Sequence, residues 1–587
     1  MIGEIREEEM KVVQGAPLPL GVSRQKEALN FAVEVKEGKQ CTLLLYKCGE
    51  NVPMEKIPMK EEAGTGTVRC VMLSDLPAQV CEYNYEIDGK IVTDPYAKGI
   101  AGRERWNDQV DFTPHQVRGK IPQKEEYPWE DDCPLRIPEE DVIAYSLHVR
   151  GFTRHSSSKV KKKGTFRGVM EKLPYLKELG INQIQCMPVY EFEERGRKVN
   201  YWGYGEGFFF APKASYAADH DAQKELKELV KTCHREGIEV VLDFPFTAQT
   251  RFQIVEDCLR YYVMEYHIDG FLLNPYQVPV EFLRRDPVLS GTKLLIKDES
   301  FQNTMRRFLK GDEGMIASVA EQFRRKTSVS GSCNYITNHT GFTLEDLVSY
   351  DAKHNEANGE QNQDGPDYNY SWNCGVEGKT RKKQIVKLRQ GQKRNAMFLL
   401  MTAQGTPCLL AGDEFGNSQG GNNNVYCQDN ETGWVDWSRL EREKSFFHYV
   451  KELIAFRKKH GILHQKEALT GTDRSGSGIP DISYHGEAAW QIQQEASSRQ
   501  LGILYSGSPK KESNCFLVYN MHWIAHSFAL PALPKDQAWY QVMSTEEGFY
   551  EQPLLIEGKR SIILEGRSVA AFVAGMSQET MRGTRSI

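Results

Sequence analysis

Four apolar segments of this chain end in polar side chains that could do chemistry. Asp243 follows VVL, Asn274 follows GFLL, Lys297 follows LLI, and His339 stands beside Thr340 after NYITN. In a barrel of parallel strands the reacting groups lie at the carboxyl ends of the strands, so these side chains are expected to converge. The set offers a carboxylate, an amine and an imidazole for acid and base work. The amide of Asn274 is a poor nucleophile and carries no charge.

The segments that must position these groups alternate between strand and helix. VIAYSLHV predicts a buried strand, 166–179 and 224–237 have helical spacing, and 181–189 and 238–244 read as strands. The pattern continues with helices around 252–265 and 393–403 and with strands at DGFLL, KLLIK, CNYIT and PCLLA. This alternation predicts an α/β fold, a closed (β/α)8 TIM barrel. Seven strands can be placed, and the sixth is expected between Phe301 and Arg324.

Short alternating strands flank the barrel on both sides. Residues 15–115 alternate apolar and polar runs between turn residues, which predicts an antiparallel β-sandwich. A connector rich in Pro and acidic residues follows at 121–141, and short strands return after about residue 470. The expected domains are an N-terminal sandwich at 1–120, a barrel at 121–465 and a C-terminal sandwich at 466–587.

Composition excludes several classes of partner. The 587 residues carry a net charge of −6, so we expect no nucleic acid or anionic membrane as partner. The acidic N-terminus lacks the apolar core of a secretory signal, and no apolar run approaches about 18 residues. The 13 Cys are scattered singly, without zinc-type spacing. A reduced cytoplasmic chain with free thiols is expected, with no metal or other cofactor.

Longer segments carry a family resemblance, which spans nearly the whole chain. LHVRGFTRH at 147–155, NYWGYGEGFFFAPKASYA at 200–217, NHTGFTLEDLVSYDAKHNEANGEQNQDG at 338–365 and GDEFGNSQGGNNNVYCQDNETGWVDW at 412–437 resemble the isoamylase and glycogen-debranching (pullulanase-like) branch of the α-amylase superfamily, glycoside hydrolase family 13. The resemblance implies that the N-terminal sandwich is of the starch-binding type. It also implies an α-glucan ligand, such as glycogen, starch or a maltooligosaccharide.

The same resemblance implies the mechanism of a retaining glycosidase. The side chains that carry out that mechanism are replaced in this chain. The family's nucleophilic Asp is Asn274 here, its acid Glu is Lys297, and its third carboxylate, an Asp, is Thr340. A retaining mechanism needs a carboxylate nucleophile and a carboxylic acid about 5–5.5 Å apart. All three catalytic positions are therefore degenerate, and no catalytic residue is assigned. A slip of the strand end at Lys297 would offer Asp298 or Glu299 as a displaced acid.

Further departures from the family surround these positions. Leu272 replaces an Arg that would be an uncompensated buried charge beside a missing Asp. Thr247 and Ala248 replace an Asn and a His. Counting Lys297 as the one local charge, we expect a positive pocket, which opposes a cationic transition state. The chain also lacks the family's long excursion after Thr250 and a stretch after Ser300, and such loops normally build the cleft.

Substrate contact is expected from Tyr204, Trp202, His339 and Asp243. Each has a structural alternative: core packing for Tyr204 and Trp202, an inherited hydrogen bond for His339, and bonds to loop amides for Asp243. GDEFG at 412–416 is a structural motif in the family and receives no catalytic role.

Three functions compete. The first is a catalytically inactive family member that binds α-glucan or regulates an active isoamylase-type enzyme as its partner. The second is an active α-1,6-glucosidase that debranches glycogen with a displaced acid such as Glu299. The third is a structural or interaction protein without sugar affinity. The residues favour the first.

Overall fold

Two antiparallel sheets form the N-terminal domain in the computed structural model, which describes residues 10–62, 64–108, 117–122, 127–325, 331–492 and 495–577. One sheet has the order β1-β6-β3-β2, and the other has the order β5-β4-β7-β10-β9 with β8 on β7. Apolar side chains of both sheets meet in one core, as the alternating pattern predicts. The strands are β1 Lys11–Gln14, β2 Gly21–Gln25, β3 Ala28–Glu34, β4 Cys41–Lys47, β5 Glu55–Met59, β6 Val68–Ser74, β7 Val80–Ile87, β8 Lys90–Val92, β9 Ile100–Ala101 and β10 Arg118–Lys120.

A disulfide joins Cys48 to Cys81 at the edge of this domain, so the expectation of a wholly reduced chain is wrong. β4 and β7 shift register between Tyr46 and Lys47, which pair with Glu82 and Val80, so Cys81 has no partner on β4; its Cα atom lies 5.5 Å from that of Cys48. Their 33-residue separation gives no signal of this in the sequence. The other eleven cysteines are free thiols.

Seven parallel strands make the barrel in the described residues. Their order is β17-β16-β15-β12-β11-β19-β18, and β13 pairs with β14 in a separate hairpin. A parallel bridge between Ile296 and Ser332 joins the two ends of this order. The strands are β11 Ala144–Leu147, β12 Gln183–Cys186, β13 Tyr190–Phe192, β14 Gly207–Pro212, β15 Glu239–Asp243, β16 Gly270–Leu273, β17 Lys293–Ile296, β18 Cys333–Asn334 and β19 Thr406–Leu410.

The segment expected to hold a sixth barrel strand is helical instead. Residues Ser300–Lys310 and Ile316–Arg324 form two helices, with Phe301, Met305 and Phe308 buried at helical spacing. The backbone N–H of Ile296 donates to the carbonyl of Gly331 at 2.9 Å. The fifth barrel strand, β17, therefore lies next to β18, which the sequence predicts as the seventh. The placement between Phe301 and Arg324 is therefore wrong. Residues 326–330, and residues 123–126 of the predicted connector, lie outside the described residues.

The barrel helices follow the predicted spacing with two differences. The helix expected at 166–179 is two helices, because Pro174 lies in the first turn of the second, and the helix expected around 393–403 begins earlier, at Lys383. The predicted apolar face of the helix at 224–237 is fully buried. The helices are α1 Val149–Arg154, α2 Phe166–Met170, α3 Leu173–Leu179, α4 Ala222–Arg235, α5 Phe252–Tyr266, α6 Val280–Leu283, α7 Ser300–Lys310, α8 Ile316–Arg324, α9 Leu344–Leu347, α10 Lys383–Thr402, α11 Ser438–Arg442 and α12 Lys444–Lys459.

The C-terminal domain is antiparallel and packs on the barrel helices. Its main sheet has the order β20-β21-β22-β27-β24-β25, and β23 pairs with β26. Tyr519 contacts the rings of Phe323 and Phe398 and shares a 2.8 Å hydrogen bond with Thr402. A TIM barrel flanked by two antiparallel β domains is thus confirmed. The strands are β20 Ile482–His485, β21 Gln500–Tyr505, β22 Cys515–Asn520, β23 His526–Ala529, β24 Gln537–Ser544, β25 Gly548–Ile556, β26 Ser561–Leu564 and β27 Ser568–Met576.

Candidate functional site

Asp243 and Lys297 form an ion pair at the carboxyl ends of two barrel strands. Asp243 ends β15 and Lys297 follows β17, and the Lys297 Nζ lies 2.9 Å from the Asp243 Oδ2. The Asp243 side chain is 6% exposed and that of Lys297 is 38% exposed. Leu272 of β16 pairs in register with Asp243 on one side and with Leu295 of β17 on the other, two residues before Lys297, and it packs against the apolar cluster inside the barrel. The structure therefore pairs Lys297 with Asp243, one of the predicted contact residues.

The hydroxyl of Tyr204 joins this pair to His339. It donates to the Asp243 Oδ2 at 2.5 Å and accepts from the Lys297 Nζ at 3.2 Å. Its third contact is the Nε2 of His339 at 2.9 Å, which must then be the protonated nitrogen of that ring. One donor and two acceptor positions are all that a hydroxyl offers, so the Tyr204 oxygen is saturated within the protein. Three of the predicted site residues are thus one network.

The ion pair changes the expected electrostatics of the pocket. Burial, and then the charge of Lys297, hold the pKa of His339 well below its usual range, so its imidazole is neutral at physiological pH. Burial and the neighbouring Asp243 raise the pKa of Tyr204 well above its usual range. The expectation of a net positive pocket is wrong, because Asp243 compensates Lys297. Asp243 also accepts from these two side chains rather than from loop amides in the described residues.

Aromatic rings enclose the network on one side. Trp202 is buried and packs edge-on against His339, with ring centroids 5.1 Å apart. His339 stacks on Tyr204 with centroids 5.3 Å apart, and the Lys297 ammonium lies 4.9 Å from the Tyr204 centroid. Tyr426 packs against Trp202 from the other side. The four predicted contact residues converge, but Trp202 offers little surface to a ligand.

Asn274 and Thr340, the other two positions where the family resemblance implies a carboxylate, make no hydrogen bond to this network in the described residues. The Asn274 Oδ1 accepts from the backbone N–H of Tyr276 at 3.0 Å, and Thr340 donates to the Asn338 Oδ1 at 3.0 Å. Both residues are exposed and both bonds stabilise a local turn. The turn at Asn274 presents the side chain of Tyr276 to solvent with 91% of its surface exposed.

The displaced acids are poorly placed for proton donation. Asp298 accepts from the backbone N–H of Ser300 at 2.9 Å and pairs with Arg325 at 2.8 Å. Burial would raise the pKa of Asp298, but the bonds from Ser300 and the charge of Arg325 outweigh it and lower the pKa. Glu299 is exposed and immediately precedes α7. Neither carboxylate bonds to the network around Tyr204.

The structure also contains an ion pair between α1 and a later loop that the sequence analysis does not predict. Arg150 binds Asp429 through two parallel hydrogen bonds of 2.8 and 2.9 Å, and Trp434 donates to the same carboxylate at 2.9 Å. The Arg150 guanidinium lies 4.6 Å from the ring centre of Trp106. These contacts hold the segment around Asp429 against the barrel. Both residues stand in the quoted family segments, but only the fold shows that they meet.

Two other kinds of site find no support in the described part of the chain. No group of three or more His, Cys, Asp or Glu residues there is placed to hold a metal ion. Among the described helices, none is long and apolar enough to cross a membrane.

The fold is an α-amylase-type barrel, and the network of Asp243, Lys297, Tyr204 and His339 lies at the carboxyl ends of its strands. The family described as "Alpha amylase, catalytic domain" matches residues 150–251. Isoamylase 1 of Arabidopsis thaliana is 30% identical, with 89% of this chain and 84% of the relative covered. The chain therefore belongs to the isoamylase-type, glycogen- and starch-debranching family of the α-amylase superfamily.

Other relatives agree with this assignment. The glycogen operon protein GlgX homolog of Haemophilus influenzae is 31% identical over 77% of this chain and 86% of its own length. The pullulanase of Paenibacillus barengoltzii, solved with maltohexaose and α-cyclodextrin, shares the fold with a TM-score of 0.72 at 19% identity, covering 94% of this chain and 95% of that one. The alignment with the Arabidopsis protein spans 667 positions, more than the 587 residues here, so the relative has segments that this chain lacks.

Proposed function

We propose that this chain is a non-hydrolytic member of the isoamylase family that binds α-glucan in glycogen or starch metabolism, alone or as partner of an active isoamylase-type enzyme. One observation carries the proposal. The ammonium of Lys297, the residue at which the family resemblance implies the catalytic acid, is bonded to Asp243 at 2.9 Å. A lysine there offers neither a carboxylic proton donor nor a negative charge for an oxocarbenium ion.

The rest of the pocket supports the absence of hydrolysis. A retaining mechanism needs two carboxylates on either side of the scissile bond, about 5–5.5 Å apart. Asp243 is the one carboxylate bonded to the network in the described residues, and both of its partners hold it in place. Asn274 and Thr340 are neutral and bond within their own turns. The site therefore binds and orients rather than cleaves.

Binding has its own support. An ammonium has three protons, and Asp243 and Tyr204 take two of those on Lys297. The third is available to a sugar hydroxyl at the mouth of the barrel, where 38% of the lysine side chain is exposed. The ring of Tyr276, exposed beside Asn274, offers a face on which a pyranose can stack. Solved pullulanases of the same fold hold maltohexaose or maltotetraose.

The second candidate, an active α-1,6-glucosidase with a displaced acid, rests on Glu299. Its exposed carboxylate is free of the ion pair that holds Asp298. It nevertheless has no carboxylate opposite it to act as nucleophile, because Asn274 stands at that position. The structural role without sugar affinity has no specific observation in its favour. A cytoplasmic location, which the eleven free thiols favour, is part of the same proposal.

Two assays on the full chain test this function together. Native electrophoresis in gels with and without glycogen measures binding, and reducing-sugar release from pullulan and glycogen measures hydrolysis. We expect retarded mobility with no sugar release. Sugar release that disappears in Glu299→Gln would establish the second candidate instead. Unchanged mobility with every α-glucan would remove the binding proposal.

A further inference from the structure

A second surface depression lies away from the network around Tyr204. The loop after α9 and the end of α7 enclose an open cleft of about 250 Å³. None of its lining residues bonds to Tyr204, Asp243 or His339 in the described structure. The lining consists of one ammonium, two carboxylates, three aromatic rings and two small polar residues: Lys310, Asp351, Asp367, Tyr368, Asn369, Tyr370, Ser371 and Trp372.

The three rings of this cleft stand at alternate positions of one short segment. Tyr368 is 84% exposed, whereas Tyr370 and Trp372 are partly buried. The Arg567 guanidinium lies 4.7 Å from the centre of Trp372, so that ring is held by the C-terminal domain. An exposed tyrosine beside two anchored rings gives a neutral oligosaccharide faces on which to pack.

The cleft also holds polar groups without partners. Within the described residues, the hydroxyls of Tyr368, Tyr370 and Ser371 and the indole N–H of Trp372 make no hydrogen bond to the protein. The Ser371 side chain is largely buried, but its hydroxyl is not, so the hydroxyl can bond to water or to a ligand. Donors and acceptors next to ring faces match a ligand that carries many hydroxyls.

The loop that carries these groups is held before any ligand binds. The amide of Asn369 accepts from Asn423 at 3.0 Å, and its backbone carbonyl accepts from the buried Arg306 at 3.2 Å. The backbone N–H of Trp372 donates to the carbonyl of Leu347 at 3.0 Å. A fixed loop loses little conformational entropy on binding, which favours even a small ligand.

Charges in the cleft favour a neutral ligand over an ion. Asp367 pairs with Lys353 at 2.6 Å, and Lys310 lies 3.7 Å from Asp312. Asp351 accepts from the backbone N–H of Asn373 at 2.8 Å. Asp367 and Lys310 are thus paired within the protein and Asp351 is held by a backbone N–H, and the remaining carboxylate oxygens are acceptors for hydroxyls.

We propose that this cleft is a second α-glucan site, which binds a short maltooligosaccharide segment through Tyr368, Trp372 and Ser371. The inference rests on the proposed α-glucan binding and adds a location to it. A protein with two binding sites for one branched polymer binds it more tightly than either site does alone, because binding at the second site is intramolecular once the first is occupied.

Hydrogen–deuterium exchange of the full chain tests the site directly, with maltohexaose as the probe and cellohexaose for comparison. We expect maltohexaose to slow exchange in peptides covering 366–374, and cellohexaose to leave it unchanged. Tyr368→Ala should require about tenfold more maltohexaose for the same protection. Because Tyr368 is 84% exposed, this variant keeps the fold. Phe282→Ala, which changes an exposed aromatic residue outside the cleft, should leave protection of 366–374 intact.

The outcomes separate this site from the broader function. Unprotected 366–374 peptides in a protein that glycogen still retards would overturn the cleft alone. Protection that persists in Tyr368→Ala, or that cellohexaose produces equally, would overturn it as well. A chain that binds no α-glucan by either method would remove the proposed function and the cleft together.

Discussion

Lys297 reaches across strand β16 to Asp243, so a cation and the retained carboxylate of the barrel meet 2.9 Å apart at its carboxyl end. Leu272 of β16, which is apolar, pairs in register with Asp243 and with Leu295, two residues before Lys297. An arginine at that position would add a second cation beside one carboxylate. Leu272 and Lys297 are therefore mutually consistent, because Asp243 has a single cation beside it.

Breaking this pair is expected to destabilise the barrel modestly. Lys297→Met leaves Asp243 buried and without its charge partner, and we expect a loss of about 1–2 kcal/mol, since the exposed lysine end is screened by solvent. Urea unfolding of Lys297→Met, Asp243→Asn and the double variant gives the coupling energy. Lys387→Met, which removes an exposed surface pair with Glu546, is the control and should change little. A coupling energy near zero would contradict the account of the pocket.

Restoring the three family carboxylates should not restore family-level hydrolysis. In Asn274→Asp, Lys297→Glu, Thr340→Asp, the new Glu would lie beside Asp243 without a neighbouring arginine, because Leu272 stands there. Ala248 and the shortened loops also remain. We expect reducing-sugar release from pullulan to stay at background. Full activity of the triple variant would show that the missing loops and Leu272 matter little.

The sequence predicted the barrel, its two flanking domains and the convergence of Tyr204, Asp243 and His339, because strand-end positions follow from periodicity and family pattern. It could not predict the charge state of the pocket, since the Lys297 contact depends on the relative register of β15 and β17. The segment expected to hold the sixth strand is helical, because its apolar residues recur at helical spacing from Phe301 onward. The disulfide of Cys48 depends on a strand pairing that residue spacing does not reveal.

Stability should depend on pH through Glu414. Burial raises the pKa of this carboxyl to about 7, in spite of hydrogen bonds from Tyr175, Tyr145 and the backbone of Gly412. The folded protein therefore holds a proton that the unfolded chain releases above about pH 4.3. The stability that this proton confers is fully present below that pH, declines as pH rises and is lost above about pH 7.

Glu414→Gln should flatten this dependence. The difference in unfolding free energy between pH 5 and pH 8 should shrink by an amount on the order of 2–3 kcal/mol, since one pKa unit is about 1.4 kcal/mol. Asp413, whose pKa burial also raises to about 7, keeps part of the slope in the variant. Glu467→Gln, at a largely exposed site, serves as the control. If the unfolding free energy of Glu414→Gln changed with pH as steeply as that of the native protein, the raised pKa of Glu414 would not be the cause of the dependence.

Removal of Tyr276 should weaken glucan binding at the mouth of the barrel. Its ring is 91% exposed, and the Asn274 side chain fixes its backbone at 3.0 Å, so the ring is presented without a packing role of its own. Loss of one stacking face should weaken glycogen binding about fivefold, on the order of 1 kcal/mol. Tyr276→Phe, which keeps the ring, should bind nearly as well as the native chain. Phe282→Ala is the matched control. Phe282 is a 67% exposed aromatic residue in α6, in the same segment between β16 and β17 as Tyr276. Affinity electrophoresis across a glycogen series measures all three variants, and equal retardation of Tyr276→Ala and Phe282→Ala would exclude Tyr276 from the binding surface.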